Sequence, residues 1–300
     1  MSRRPVRMAG VDLVLALVGV LGVSASGPLM AGIGAPALAI AFWRNTLAVG
    51  VLVPVAAVTR RTELRGLTRH QLAATGLAGV MLAAHFATWV TSLKLTSVAS
   101  ATALVCLQVA WVVLIGRLRG HVVTSAVPVG LTVSLLGVVV VSGVDVSLST
   151  RALVGDMLAL AGGLFAAVYT HIGSAVRQSL STTAYTTLCY GTCALTLLVL
   201  CLLTGSSLWG YDAEAWLGLV AVTIAAQLLG HSVFNHLLAV MSPMLVSLVL
   251  LLEVPGAALL AAVFLGQVPP IGVYAGLVLI LAGLVTVVVR GGAIVPAPVD

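Results

Sequence analysis

Long apolar runs, broken by single charges, prolines and glycine clusters, fill this chain almost from end to end. A helix needs roughly 20 mostly apolar residues to cross about 30 Å of hydrocarbon. Runs of that length fall near 11–29, 36–58, 71–93, 98–116, 124–143, 155–176, 183–204, 214–238, 243–265 and 271–289, and predict ten transmembrane helices. The connections are short, so little of the chain is left for a separate water-soluble domain. At the start, Arg3, Arg4 and Arg7 precede an apolar stretch ending in Ser24-Ala25-Ser26, which imitates a secretory signal and its cleavage site. Asp12 opens that stretch and similar spans follow, so it is read as an uncleaved first helix.

Composition turns the pattern into a fold class. Of the 300 residues 7% are charged and 61% hydrophobic, with mean hydropathy +1.21, where an ordinary globular chain carries about 25% charge. So few charges cannot cover a soluble body of this size, which would aggregate through apolar patches. The reading is an all-α integral membrane protein, and a soluble enzyme, a nucleic-acid binder and a disordered chain are excluded. The net charge of +6 then reports orientation rather than a nucleic-acid partner. With the N-terminus inside, Arg3, Arg4, Arg7, Arg60, Arg61, Arg65, Arg69, Arg117, Arg119, Arg177 and Arg290 lie in the cytoplasm, and Lys94 and Arg151 outside. That bias predicts a multi-pass protein of the cytoplasmic membrane with both termini cytoplasmic. Asp145, Asp156, Asp212 and Glu214 then face outward, the last pair flanked by Trp209, Tyr211 and Trp216 as in an interfacial aromatic belt. Cys106, Cys189, Cys193 and Cys201 sit inside apolar runs without metal-site spacing, and read as small buried hydrophobes. No metal or cofactor is expected.

The two halves resemble each other. A shift of 146 superposes Gly120, Gly130 and Gly137 on Gly266, Gly276 and Gly283, while a shift of 145 superposes Ser97 on Ser242 and Gln108 on Glu253. A repeat of five spans is odd-numbered, so its second copy must be inverted in the membrane, the plan of many secondary transporters, whose substrate site lies near the midplane between repeats. The expected units are residues 1–146 (spans 1–5) and 152–292 (spans 6–10).

Four stretches carry a resemblance to a known family. They are "AIAFWRNTLAVGVLVP" in span 2, "HFATWVTSLKLTSVASATALVCLQ" across spans 3 and 4, "GDMLALAGGLFAAVYT" in span 6, and "LLEVPGAALLAAVFLGQVPPIGVYAGLVLILAGLVTV" in spans 9 and 10. In order and spacing the chain resembles EamA-type members of the drug/metabolite transporter superfamily. The resemblance implies ten helices as two inverted EamA repeats, transport activity, and export as its direction. It departs from the family pattern at Ala110, where relatives often have Pro, and at Gln267, where they have Glu, which puts the role of that Glu in doubt here.

An ionisable side chain at the centre of a membrane helix costs at least ~2.5–3.5 kcal/mol, so it normally faces a cavity or a partner. Arg44 lies about 12 Å from the outer end of span 2, counting 1.5 Å per residue from Pro36. Its guanidinium is either a donor fork for an anionic substrate group or a structural group bonded to carbonyls or to Glu253. Glu253, mid-span with Pro255 just after it, is the proton-coupling candidate, or else a protonated or Arg-paired structural residue; Pro255 is expected to kink the helix. His85, Thr88, Trp89 and Ser92 share one face of span 3, and Thr223, Gln227, His231 and Asn235 share one face of span 8. At the 146 shift His85 coincides with His231. Such stripes line either a wet cavity or a hydrogen-bonded helix seam. Gln108 and Trp111 on span 4 complete the candidate substrate set, with Tyr169 and Tyr190 secondary. His70, His121 and His171 receive no role. Ser97 and Ser242 read as helix N-caps, and Asp156 as a first-turn acid of span 6.

The functional expectation is a secondary active transporter exporting a small polar or amphipathic metabolite by alternating access, with protons as the coupling ion. No G-x-x-x-x-G-K-[ST] loop is present for driving transport with ATP. The alternatives are an intramembrane enzyme, which would need catalytic groups at one depth, or a passive channel or scaffold.

Overall fold

The computed structural model describes residues 10–120, 125–143, 150–268 and 271–290. Arg3, Arg4, Arg7, His121 and Asp145, used above for orientation or set aside, lie outside the described residues. Among the described residues every regular element is helical: α1 (Gly10–Ser24), α2 (Ser26–Gly32), α3 (Ala37–Thr59), α4 (Arg61–Arg65), α5 (Arg69–Ser92), α6 (Val98–Val105), α7 (Gln108–Leu118), α8 (Ala126–Gly143), α9 (Thr150–Val176), α10 (Thr182–Thr204), α11 (Ala213–Val222), a π-helical segment (Thr223–His231), α12 (Ser232–Leu237), α13 (Pro243–Leu250), α14 (Glu253–Leu265) and α15 (Ile271–Arg290). Joined where they abut, they make eight helices long and apolar enough to cross a bilayer. Helices α8 and α15 occupy the fifth and tenth predicted positions, with shorter apolar stretches, Ala126–Gly137 and Tyr274–Gly283.

Many apolar side chains point outward, Val58, Leu203, Phe264 and Ile271 among them, while small and polar residues fill the helix contacts. In lipid that inversion is expected, because apolar association gains little there and close backbone approach gains packing. Glycines mark those approaches. A Cβ on Gly79 of α5 would lie 2.6 Å from the Cys189 carbonyl oxygen of α10, and one on Gly283 of α15 would lie 2.4 Å from the Gly130 carbonyl oxygen of α8.

Two pairs of helices sit at matched positions of the repeat and are broken in the same place. Ser97 caps α6 by accepting from Ser100 N, and Ser242 caps α13 by accepting from Leu245 N, with Pro243 at the first helical position, as expected. After eight residues each helix gives way to a tight turn, Cys106–Leu107 in the first copy and Leu251–Leu252 in the second. The chain then resumes as a helix opening on Gln108 or Glu253. The turns are built from i→i+3 bonds such as Leu107 N to Leu104 O, 3.2 Å, and Leu252 N to Val249 O, 3.1 Å. The kink expected from Pro255 thus lies just before it, and Val254 N takes up the Leu251 carbonyl that proline leaves free, at 3.2 Å. The first copy breaks identically with Ala110 in place of proline, so the break does not depend on a missing N–H. Tertiary contacts accompany it: a Cβ on Gly163 of α9 would stand 2.8 Å from the Val105 carbonyl oxygen. The Cys106 thiol donates to the Leu250 carbonyl across the bundle at 3.7 Å, so the two breaks face each other.

Two other expectations are corrected. Helix α9 begins at Thr150, not at Gly155, so Asp156 lies past the first turn and is not the terminal acid of that helix. The span 8 stripe is not on a plain α-helix: Thr223–His231 is π-helical, closing with Ser232 N on the Gln227 carbonyl. The wider winding keeps residues four apart near one face, but their partners differ. Gln267 has a structural place: its Oε1 accepts from Val98 N at the start of α6, at 3.4 Å.

Candidate functional site

A cavity of about 50 Å³ lies beside the two helix breaks. His85 and Trp89 reach it from α5, Gln108 from α7, Tyr169 from α9, His231 and Asn235 from the π segment and α12, and Glu253 from α14. Six of the residues singled out in the sequence therefore meet at one place, and Tyr169, a secondary one there, joins them. His85 and His231, superposed by the repeat, face each other with ring centroids 6.2 Å apart. Holding one water takes about 10–15 Å³ of such volume, so the cavity has room for a few waters and too little for a metabolite.

Each wall residue is held by the packing behind it. His85 Nδ1 lies 3.0 Å from the Gly162 carbonyl; a carbonyl only accepts, so Nδ1 carries the proton and Nε2 is left for another partner. The imidazole stacks on Trp89 at 5.5 Å, and the buried indole Nε1 of Trp89 has no hydrogen-bond partner. Asn235 is the most heavily tied. Its Oδ1 accepts from Tyr169 at 2.5 Å, its Nδ2 donates to the Tyr190 hydroxyl at 3.1 Å, and Tyr190 also meets Ser232 Oγ at 3.2 Å.

Arg44, Gln227 and Trp111 are not on the cavity wall. Arg44 is wholly buried, and the ring of Phe86 separates it from the cavity: the guanidinium sits 4.2 Å over that ring, whose centroid is 5.2 Å from that of His231. Its Nε donates to Gln227 Oε1 at 2.9 Å, and its Nη1 to Ser26 Oγ and the Met30 sulfur. Gln227 Nε2 in turn donates to Asn45 Oδ1 at 3.0 Å. Arg44 Nη2 is buried without a partner. Among the described residues no ion pair or hydrogen bond joins Arg44 to Glu253, and Arg44 is absent from the cavity wall that Glu253 lines. Trp111 packs half-buried against the core. Thr88, Ser92 and Thr223 return their hydroxyls to carbonyls of their own helices, at Ala84, Trp89 and Leu219, and so belong to helix structure. His171 donates from Nε2 to the Val112 carbonyl at 3.0 Å.

Two features had no signal in the sequence reading. Arg177, counted there only for orientation, is 7% exposed and joins two elements. Its Nε donates to the Asn235 carbonyl at 2.8 Å, its Nη1 to the Leu180 carbonyl, and its Nη2 to Thr182 Oγ1 at 2.9 Å. Burial lowers its pKa, with Tyr185 and Glu63 acting in the other direction. Nearby, the Glu63 carboxylate accepts from both N and Oγ of Ser181 at 2.6 Å, fixing the start of α10. The same Asn235 thus has its side chain at the cavity and its carbonyl on Arg177. At the opposite end, Trp43 gathers the expected aromatic belt into a cluster: Trp209 and Trp216 lie 4.7 and 5.0 Å from it, and its indole donates to the Leu208 carbonyl.

Comparison with known proteins bears on the family and the fold. The model of the EamA-like transporter family matches residues 11–143 and again 153–289. A crystal structure of a protein 20% identical in sequence superposes with a TM-score of 0.72, covering 94% of this chain and 97% of that one, and shares the fold. A search of the curated proteins finds no match. With nearly its whole length accounted for by two tandem matches, this multi-pass membrane chain belongs to the EamA-like transporter family of the drug/metabolite transporter superfamily.

Proposed function

We propose that the protein is a secondary active transporter that exports a small polar or amphipathic metabolite by alternating access, coupled to protons at Glu253. The observation that carries the reading is the small cavity that brings His85, Gln108, His231, Asn235 and Glu253 together at the meeting of two helix breaks, each at the same position of its repeat. Half-helix ends at the midplane are how transporters offer polar groups to a substrate inside hydrocarbon. On this reading ten helices cross the cytoplasmic membrane as two inverted halves, 1–146 and 152–292, with both termini and Arg177 on the cytoplasmic side. His85, Trp89, Gln108, His231 and Asn235 contact the substrate, Glu253 exchanges a proton, and Arg44 with Gln227 braces the wall from behind Phe86. Trp111 packs the helix that carries Gln108. The volume of about 50 Å³ corresponds to a closed stage of the cycle, before either side opens to admit a metabolite. Lipid and substrate are the partners, and no enzymatic step is needed. Among the described residues Glu253 is the one carboxylate on the wall, and the Cys106 thiol there is bonded to the Leu250 carbonyl rather than to a base, which favours transport over an intramembrane enzyme.

The test is counterflow in proteoliposomes against a panel of amino acids, nucleosides and organic cations, comparing wild type with Glu253→Gln and Arg44→Ala. Saturable exchange that loses its dependence on a pH gradient in Glu253→Gln supports the reading. Flux that never saturates would make the protein a pore, and no flux for any compound would remove the transporter reading.

A further inference from the structure

A second and much larger space lies away from the helix breaks. It is a groove of about 620 Å³ between α2, α11 and α14. That is within the ~300–1,000 Å³ usual for sites that take a drug-sized ligand. Pro28 and Ile33 form one wall, Leu217 another, and Leu260 and Phe264 the third. Phe264 and Leu217 are 73% and 70% exposed, so the groove opens sideways toward lipid rather than into the bundle. Its rim carries Asp212 and Glu214, beside the Trp43–Trp209–Trp216 cluster that marks interfacial depth.

Charges around the groove are unevenly placed. Asp212 caps α11 by accepting from Ala215 N at 2.7 Å and keeps a carboxylate oxygen beyond that bond, while Glu214 is exposed in the first turn. The α2 and α14 walls bring no charged side chain. The nearest basic group named in the contacts of α2 is Lys94, whose Nζ is spent on the Ala31 and Ile33 carbonyls at 3.0 and 2.7 Å, on the end of the helix where the dipole is negative. The rim is therefore net acidic above apolar walls.

We propose that this groove docks an amphipathic monocation from the leaflet on the Asp212 side, its charge at Asp212 and Glu214 and its apolar body between α2 and α14. A zwitterionic or anionic lipid fits less well, since its phosphate would stand against two carboxylates at headgroup depth. The site does not depend on the transport reading, because binding there is measured without flux.

The probe is tetraphenylphosphonium, with tetraphenylborate as the same shape bearing the opposite charge, added to the purified full chain in nanodiscs. The expected result is saturable binding of the cation alone. The double variant Asp212→Asn, Glu214→Gln should weaken it at least tenfold, while Asn still caps α11. Leu260→Trp, which fills the groove, should abolish it. Melting temperature reports folding for each variant. The Glu253→Gln chain should bind the cation as wild type does, which separates the groove from the inner cavity. Equal binding of both probes, or cation binding indifferent to the double variant in a folded chain, would overturn the proposal and leave the groove to lipid tails.

Discussion

Arg177 is expected to govern access to the cavity from its side of the membrane. Of its three hydrogen bonds, those to Leu180 and Thr182 stay within the α9–α10 turn, and only the 2.8 Å bond to the Asn235 carbonyl crosses to α12. Thr182 to His236 at 3.2 Å also crosses but is exposed and worth less, and the bonds of Tyr169 and Tyr190 to the Asn235 side chain lie at the cavity itself. One hydrogen bond to a charged donor contributes about 1.5–3 kcal/mol net. At 1.4 kcal/mol per factor of ten, Arg177→Ala should raise the open-to-closed ratio on this side about 10- to 150-fold. The chain supplies its own reporter, since Cys106 lines the cavity. With Cys189, Cys193 and Cys201 changed to Ala, the rate at which a membrane-impermeant maleimide labels Cys106 from the face on which Arg177 lies should rise by that factor, and labelling from the other face should fall. Arg177→Lys keeps the charge without the planar fork and should lie between, and it serves if the Ala variant does not fold. An unchanged labelling rate in a variant that melts like wild type would refute the argument that this bond holds the cavity shut.

Other consequences follow from the packing. Gly76 has nothing within 4 Å of a built Cβ, so Gly76→Ala should stabilise α5 by about 0.5–1 kcal/mol, whereas Gly256→Ala drives a Cβ to 2.2 Å from Ser24 Oγ and should destabilise by about 1–3 kcal/mol. Opposite shifts in melting temperature check the pair. Gln227→Leu leaves the Arg44 Nε buried without its acceptor and should lower stability by about 1–3 kcal/mol or more, read in the same melt; an unshifted melting temperature would mean that Arg44 finds another acceptor. Tyr169→Phe removes the short bond to Asn235 Oδ1 while keeping the ring, and should change substrate affinity more than protein yield.

How far the site was legible depends on the kind of contact. His85, His231, Gln108 and Glu253 could be found because the repeat lays one copy over the other, and a symmetric pair meets at the axis between copies. Trp111 and Thr88 share helices with true wall residues, and helical spacing alone does not separate them, since it is the neighbouring helix that decides which side of a stripe is covered. Arg177 looked like one more cytoplasmic arginine because its partners, two carbonyls and a hydroxyl, leave no mark on composition. Arg44 stood out as a charge in hydrocarbon, yet nothing in its own span announces Gln227, Ser26 and Phe86 as its surroundings.

Membrane residence, the placement of eight membrane-spanning helices and the membership of the family were already written in the order of residues, because transfer into hydrocarbon is a local free energy that each run of side chains carries wherever it packs. The partners of each polar group were not. In lipid a buried donor must find its acceptor inside the protein, and several acceptors can serve; only the approach of distant helices, at Gly163 against Val105 or Phe86 against Arg44, selects one. The few charges that the bilayer admits were therefore visible at once, and the folded bundle determined that Glu253 faces the cavity while Arg44 stands behind it.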